Sequence, residues 1–491
     1  MTLDPRTPVI VGVGQFIQKP DDLSESLEAV AMMEQAVRRA ASDSGAAHVL
    51  TKVDALAVVQ GAWKYSDPAR LVAERVGSPS AHTMLTPNGG NTPQSLVTAM
   101  ARRIAAGQLD VAVLAGAESI WTRRRSRRAG IRLPVTNQIG VEPDERFGAE
   151  VQMGSSHEKE RGFEQPVNFY PTFESAFRSS RGESIEDHRT RVSHLWESFN
   201  AVAAENPYAW RRDRLTAQQI RSPEGGNRMV GFPYTKAMNS NWDLDQAAAL
   251  IMTSVATAEA LGVARDRWVF PHAGTDAHDT YLVSNRNELY ESPAMRIGGR
   301  RVLELAGVSV DDLAHIDLYS CFPSAVQISA TEIGIPLDRQ LTVTGGLTFA
   351  GGPLNNYVMH SIATMADVLR NDPGSPGLVT ANGGYVTKHA FGLYSTEPPR
   401  QPFQWQEVQA EVDATPTRQV CESFDGEVAV EAYTIMHGHD GPEQALFALR
   451  LDDGRRAWGN STDEDLMTAG METELIGQRA QLRADGVVRR A

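Results

Sequence analysis

The chain has only two cysteines, Cys321 and Cys421, in 491 residues. They cannot build a disulfide framework or a cysteine-rich zinc site. Long apolar runs are missing too: none approaches the ~18 residues of a membrane-spanning helix, so no span is expected. The N-terminus, MTLDPRTPVIVGVG, lacks the basic-then-apolar layout of a signal peptide, and a cytoplasmic location is the expectation. Positive charge is scarce as well. Lys and Arg total 47 against 61 Asp and Glu, giving a formal charge of −14, and only six of the 47 are lysines. Such a surface repels a phosphate backbone on average, which argues against nucleic-acid binding while leaving room for a local basic patch on a small anion.

What is present is the composition of a globular chain, 41% hydrophobic and 22% charged, long enough for two to four domains. PVIVGVG (8–14), DALAVVQ (54–60) and LDVAVLAG (109–116) read as buried strands. Between them, helices are expected over 24–44, 68–76 and 92–106. The alternation stops near Trp121 and resumes at Asp243, where DLDQAAALIMTSVATAEALG reads as a long helix before a strand at 268–272. Residues 121–242 therefore read as an insertion, helical around 185–204. From Leu289 the order repeats: a helix, a strand at 314–319, a helix at 323–333, a glycine-rich loop with its helix, and strands at 377–382 and 390–395. An internally duplicated α/β fold with a large insertion in its first half is expected. EPPRQPFQ reads as a linker. The tail beyond it alternates short strands and turns like a small β-barrel, and its acidic residues outnumber the basic ones.

The loop TGGLTFAGGPLNNYVMH (344–360) sets two Gly-Gly pairs around an apolar segment, and a helix is expected from Gly352 to about Leu369. Strand, turn and helix N-terminus together would present backbone N–H groups to an open pocket, able to hold an anion or a carbonyl oxygen. Cys321 stands at a helix start. Lys388 and His389 adjoin a second glycine turn, where the lysine charge would keep the imidazole neutral as a base. His360 reads as structural. His437 and His439 form one His-x-His pair without a third ligand, and no metal is expected.

Several stretches resemble the thiolase superfamily, in particular the sterol-carrier-protein thiolases and their thiolase-like proteins. They are PVIVGVGQ, LAGAESI (114–120), DQAAALIMTS (245–254), YSCF (319–322), GGLTFAGGPL (345–354) and the stretch from Ala381, all in the order of that family. The extra C-terminal region points to thiolase-like protein type 1. The resemblance implies a duplicated five-layered αβαβα core, with residues 1–120 plus 243–275 as its N-terminal half and 276–398 as its C-terminal half. A loop domain over 121–242 and an OB-like C-terminal β-barrel over 399–491 complete it.

It also implies where the chemistry would lie. The nucleophilic cysteine aligns with Asn91, whose amide cannot form a thioester, and the active-site histidine aligns with Gly352. The water-orienting run becomes Tyr319-Ser320-Cys321-Phe322, so Ser320 stands where the family has an acid. The second cysteine aligns with Ala381 or Asn382. Gly351, Gly383 and Gly384 keep the backbone of an oxyanion pocket. Arg123, Arg124 and Arg125 suit the phosphates of coenzyme A. The expected ligand is coenzyme A or an acyl-CoA, bound by an acyltransferase-type protein without ordinary thiolase activity. The alternatives are a non-catalytic acyl-CoA or lipid-binding scaffold whose C-terminal domain recruits a protein partner, and a hydrolase or acyltransferase using Cys321 or Lys388 and His389. Monomer and dimer are both open.

Overall fold

The computed structural model describes residues 3–490. The first half runs Pro8–Ile17 (β1), Ala29–Asp43 (α1), Ala55–Val58 (β2), Pro68–Val76 (α2), His82–Leu85 (β3), Thr92–Ala105 (α3), Val111–Ser119 (β4) and Ile120–Ala129 (α4). Local chemistry sets these bounds. The Asp67 side chain accepts from Arg70 N–H ahead of α2, Pro68 fills its first turn, and Gly77 ends it in the left-handed region. The helix expected over 24–44 starts later, at Ala29, behind a short 3-10 turn at Leu23–Glu25 that Asp22 caps.

The insertion carries Glu145–Arg146 (β5), Ser156–Glu160 (α5), Pro166–Ser180 (α6), Ile185–Glu205 (α7), Ala217–Arg221 (α8), Met229–Gly231 (β6) and Tyr234–Thr235 (β7). The long helix expected after Asp243 is instead Asp245–Ser254 (β8) followed by the short Val255–Ala260 (α9). All ten residues of β8 are buried, between β1 on one side and β4 on the other. A strand covered on both faces shows no alternation, so Ala-rich apolar sequence reads as helix until its neighbours are known.

The second half runs Phe270–His278 (β9), Pro293–Ala306 (α10), His315–Asp317 (β10), Pro323–Ile333 (α11), Gly346–Phe349 (α12), Tyr357–Asn371 (α13), Gly377–Gly383 (β11) and Lys388–Ser395 (β12). The apolar segment between the two Gly-Gly pairs is thus a single helical turn rather than a strand, and the long helix begins at Tyr357, five residues later than expected. Gln404–Glu407 (β13), within and just beyond the proline-rich stretch, pairs in parallel with β9.

The two sheets repeat one plan. The first has the order β1-β8-β4-β2-β3 and the second β9-β12-β11-β10. In each, the first two contacts are antiparallel and the third is parallel. α3 and α13 lie between the sheets, α1 and α2 cover the first, and α10, with α11 packed beside it, covers the second, which makes five layers. The remaining elements are Gln409–Asp413 (α14), Gly426–His437 (β14), Pro442–Arg450 (β15), Arg456–Ser461 (β16), Glu464–Glu472 (α15), Arg479–Leu482 (β17) and Val488–Arg490 (β18). They form a curled sheet in the order β16-β15-β14-β17-β18, and an isolated bridge between Asn460 and Val487 brings its two ends together. β6 and β7 of the insertion join this sheet through β14.

Candidate functional site

α3 begins at the turn Asn88-Gly89-Gly90-Asn91. The Thr92 N–H and hydroxyl both donate to Gly89 O, at 3.1 and 2.8 Å, and Pro93 in the first turn removes an N–H that needs no helical partner. The loop before α13 holds this turn from the other half of the core. Gly89 N–H donates to Asn355 Oδ1 (3.1 Å), while Asn355 Nδ2 donates to Gln60 O (2.8 Å) and Asn88 Oδ1 (3.1 Å).

The end of the β11–β12 hairpin faces the turn. A Cβ on Gly383 would stand 2.6 Å from Asn91 Oδ1, and one on Gly89 would stand 2.5 Å from Asn91 Oδ1 and 2.8 Å from Lys388 Nζ, so a side chain at either glycine would push these groups aside. Lys388 Nζ donates to Asn88 O (2.5 Å). Burial lowers its pKa, and Glu150 of the insertion acts the other way. Asn91 Nδ2 lies 3.4 Å from Ser95 Oγ, whereas its Oδ1 is buried without a hydrogen-bond partner. The Ser95 hydroxyl donates to Asp276, whose carboxyl is pushed up to about 6 by burial.

Cys321 lies on the other side of β11, because successive residues of a strand face opposite ways. Its thiol is pushed up to about 12 by burial. Asn382 Nδ2 stands 3.8 Å from Sγ and donates to the Tyr170 hydroxyl (3.1 Å). That hydroxyl donates to Gly384 O (3.0 Å) and accepts from Val386 N–H (3.2 Å), and the Tyr170 ring stacks on Phe322. Asn382 Oδ1 is buried without a partner. A Cβ on Gly384 would run into Met153 Sδ, so the insertion closes over this turn.

Three expectations change. Lys388 and His389 do not form a pair: the strand turns them to opposite faces, and His389 lies buried with its Nε2 3.4 Å from Asp279 Oδ2 and 3.5 Å from Ser292 Oγ. The glycine loop of residues 344–353 is not an open cradle of N–H groups. Gly346 N–H donates to Thr344 Oγ1 (3.1 Å), Leu347 N–H to Ser320 Oγ (3.3 Å), Gly351 N–H to Gly346 O (3.3 Å) and Gly352 N–H to Asn241 O (2.8 Å). A Cβ on Gly352 would meet Ser240 Oγ at 2.6 Å and Leu347 Cδ2 at 3.1 Å, so the insertion occupies the space a side chain there would need. Finally, the first three guanidinium groups of the arginine run on α4 each have a partner within the chain. Arg123 donates to Ala62 O (2.7 Å), Arg124 pairs with Asp243 (2.7 Å), and Arg125 donates to Pro20 O (2.7 Å) over the Trp121 ring.

Other expected residues fall outside this region. His360 Nδ1–H donates to Gln15 Oε1 (2.8 Å), and burial pushes its imidazole down to about 3. His437 Nδ1 contacts Ile435 O (3.0 Å), and His439 is exposed beside Asp440. Among the described residues, no group of three or more His, Cys, Asp or Glu side chains is placed to hold a metal ion.

Sequence reasoning missed Asp317, which organises the glycine loop. One carboxylate oxygen accepts from Val343 N–H, Thr344 N–H and the Thr342 hydroxyl, and the other from the Tyr357 and Ser361 hydroxyls (2.8–3.1 Å). The hydroxyl-rich string Thr342-Val-Thr344 ahead of the glycines was its signal. Tyr170, Glu150, Met153 and Ser240 arrive from the insertion and leave no local signal.

Two sheets of one plan enclosing two central helices define a thiolase fold. Solved structures agree. An acetyl-CoA acetyltransferase from Syntrophomonas wolfei matches 80% of this chain and 99% of its own (17% identity, TM-score 0.57), and the dimeric peroxisomal thiolase of Saccharomyces cerevisiae matches 81% and 99% (15%, TM-score 0.55). At those identities the likeness concerns the fold alone. A monomeric SCP2-thiolase like protein type 1 from Mycobacterium smegmatis matches the whole of both chains at 32% identity and a TM-score of 0.87. The model of the additional C-terminal domain of thiolase-like protein type 1 matches residues 407–487. The chain belongs to the SCP2-thiolase-like protein type 1 family. A comparison with curated proteins found no match.

Proposed function

We propose that this protein binds an acyl thioester of coenzyme A non-covalently and carries out neither thiolysis nor Claisen condensation. The observation that carries the reading is the start of α3, where Gly383 packs on Asn91, the Asn91 amide oxygen is unpartnered, and Lys388 Nζ lies against Gly89 and donates to Asn88 O. A helix N-terminus flanked by an ammonium group and an unsatisfied acceptor can hold a polar acyl group, yet an amide cannot take up the acyl. Two further features point the same way: the one thiol nearby keeps its proton, and the space beside Gly352 is filled. Coenzyme A as the carrier is what the resemblance to the thiolase superfamily implies, and membership of the SCP2-thiolase-like protein type 1 family supports it.

Calorimetric titration with coenzyme A and acetyl-CoA, alongside thiolysis and condensation assays, tests this. Heat on titration of acetyl-CoA without turnover is expected, with binding weakened in Lys388→Met. Robust thiolysis, or no heat with either ligand, would overturn it. A second reading rests on Lys388 itself, since burial lowers its pKa and makes the ammonium beside the helix N-terminus a readier proton donor than an exposed lysine. Acetyl-CoA hydrolysis by the wild type that disappears in Lys388→Met would favour that reading.

A further inference from the structure

The arginine run and the strap that follows it have a surface the site does not use. α4 ends at Ala129 with Gly130 as its cap, and residues 131–144 run over the first half without regular secondary structure. Polar residues fasten the strap. Thr136 N–H donates to Glu28 Oε2 (2.7 Å), its hydroxyl donates to the same carboxylate, and Gln138 exchanges hydrogen bonds with the Asp67 backbone (2.8 and 2.9 Å). The alternation is therefore inverted: Thr136 and Gln138 face the protein, while Val135 and Ile139 face solvent, 64% and 83% exposed.

All four exposed large hydrophobic side chains among the described residues are here or next to α4: Ile131, Val135, Ile139 and Trp242. Trp242 is placed by its neighbour Asp243, which pairs with Arg124 on α4. Arg127, Arg128 and Arg132 lie exposed among them and make no ion pair among the described residues. Three free cations with protruding aliphatic and indole side chains run against the charge of a −14 chain.

We infer that this face docks on an anionic lipid surface. Basic residues near such a surface are drawn to its phosphates, and Ile, Val and Trp side chains enter the interfacial layer. A bilayer takes protruding side chains one by one, without the shape-matched contiguous patch that a protein partner needs, and a strap studded with single apolar residues suits the bilayer.

Cosedimentation of the full chain with vesicles of phosphatidylcholine alone, and of phosphatidylcholine mixed with phosphatidylglycerol, tests this. Binding to the mixed vesicles only, weakening as salt rises, is expected. Each arginine replaced by alanine should weaken it about fivefold. R127E/R128E/R132E should abolish it, and V135S/I139S should weaken it several-fold. Both variants should melt as the wild type does, since these side chains have no ion-pair or hydrogen-bond partners among the described residues. Equal binding to neutral vesicles, retention by the charge-reversed variant, or no binding to mixed vesicles would each overturn the inference. In the last case, capture of the wild type but not the variant on immobilised polyglutamate would assign the face to an acidic protein instead.

Discussion

Cys321 has a helix behind it, yet the thiol is pushed up to about 12 because Tyr170, Phe322 and Asn382 exclude water from it. Relative to an ordinary cysteine, about a thousandfold less thiolate exists near pH 8. Ellman's reagent should therefore find no fast-reacting thiol in the folded protein and two in denaturant; rapid native labelling of Cys321 would contradict this. Glu118, at the end of β4, titrates where it can be measured. It is 1% exposed, its Oε1 accepts from Ala62 N–H (2.7 Å), its Oε2 has no partner, and burial pushes it up to about 7 from 4.5. Between those values the folded chain holds a proton that the unfolded chain has lost. Its contribution to stability is therefore complete below the unfolded value and is lost as pH rises through about 7. Glu118→Gln keeps the acceptor for Ala62 and carries no charge. It should melt with the wild type near pH 5 and a few degrees above it near pH 8. An offset that is the same at both pH values would refute this account.

One edge of the first sheet would be β3, and β5 covers it. Met84 and Leu85 pair in parallel with Glu145 and Arg146, Phe147 N–H donates to Leu85 O (2.9 Å), Asp144 accepts from Thr83 N–H (2.8 Å), and Arg103 grips Glu145 (2.6 Å). An uncovered edge strand invites pairing with another chain. With the cap in place the wild type is expected to be monomeric. Asp144→Ala with Glu145→Pro should release the strap and raise the mass seen by light scattering; an unchanged mass would show that the cap does not govern association. Elements with chemical punctuation were legible in sequence: α2 between Asp67-Pro68 and Gly77, α7 behind Ser184, and α11 between Pro323 and Gly334. β8 was not, because two neighbouring strands bury all of its residues. The site divides in the same way. Asn91, Gly383 and Lys388 sit in local glycine-marked strings, but the side chains that close over them belong to the insertion, and only the folded chain brings these together.

At the scale of the whole molecule, the C-terminal sheet is built into its neighbours. It shares a ladder with β6, and Arg178 of α6, 1% exposed, binds Glu474 with two nitrogens (2.8–3.1 Å). Arg456 is the firmest link. Fully buried on β16, it binds Glu431 (2.6 and 2.8 Å) and donates to the carbonyls of Ser284 (3.0 Å), Arg286 (2.5 Å) and Asn287 (3.2 Å) in the second half of the core. Removing Arg456 would leave Glu431 only Arg450 (2.7 Å) and take the donor from these three carbonyls, a loss toward the lower end of the about 3–5 kcal/mol for breaking a buried ion pair, whereas replacing both partners with apolar groups of similar size can be nearly neutral. Arg456→Ala should thus lower the melting temperature and open residues 396–425 to limited proteolysis, separating the C-terminal sheet from the core. Arg456→Met with Glu431→Leu should recover part of the loss in melting temperature but not the protection from protease, because the carbonyls of residues 284–287 would still lack their donor. If Arg456→Ala melted and resisted protease like the wild type, the docking would rest on the shared β6–β14 ladder and the apolar contacts of Phe232 instead.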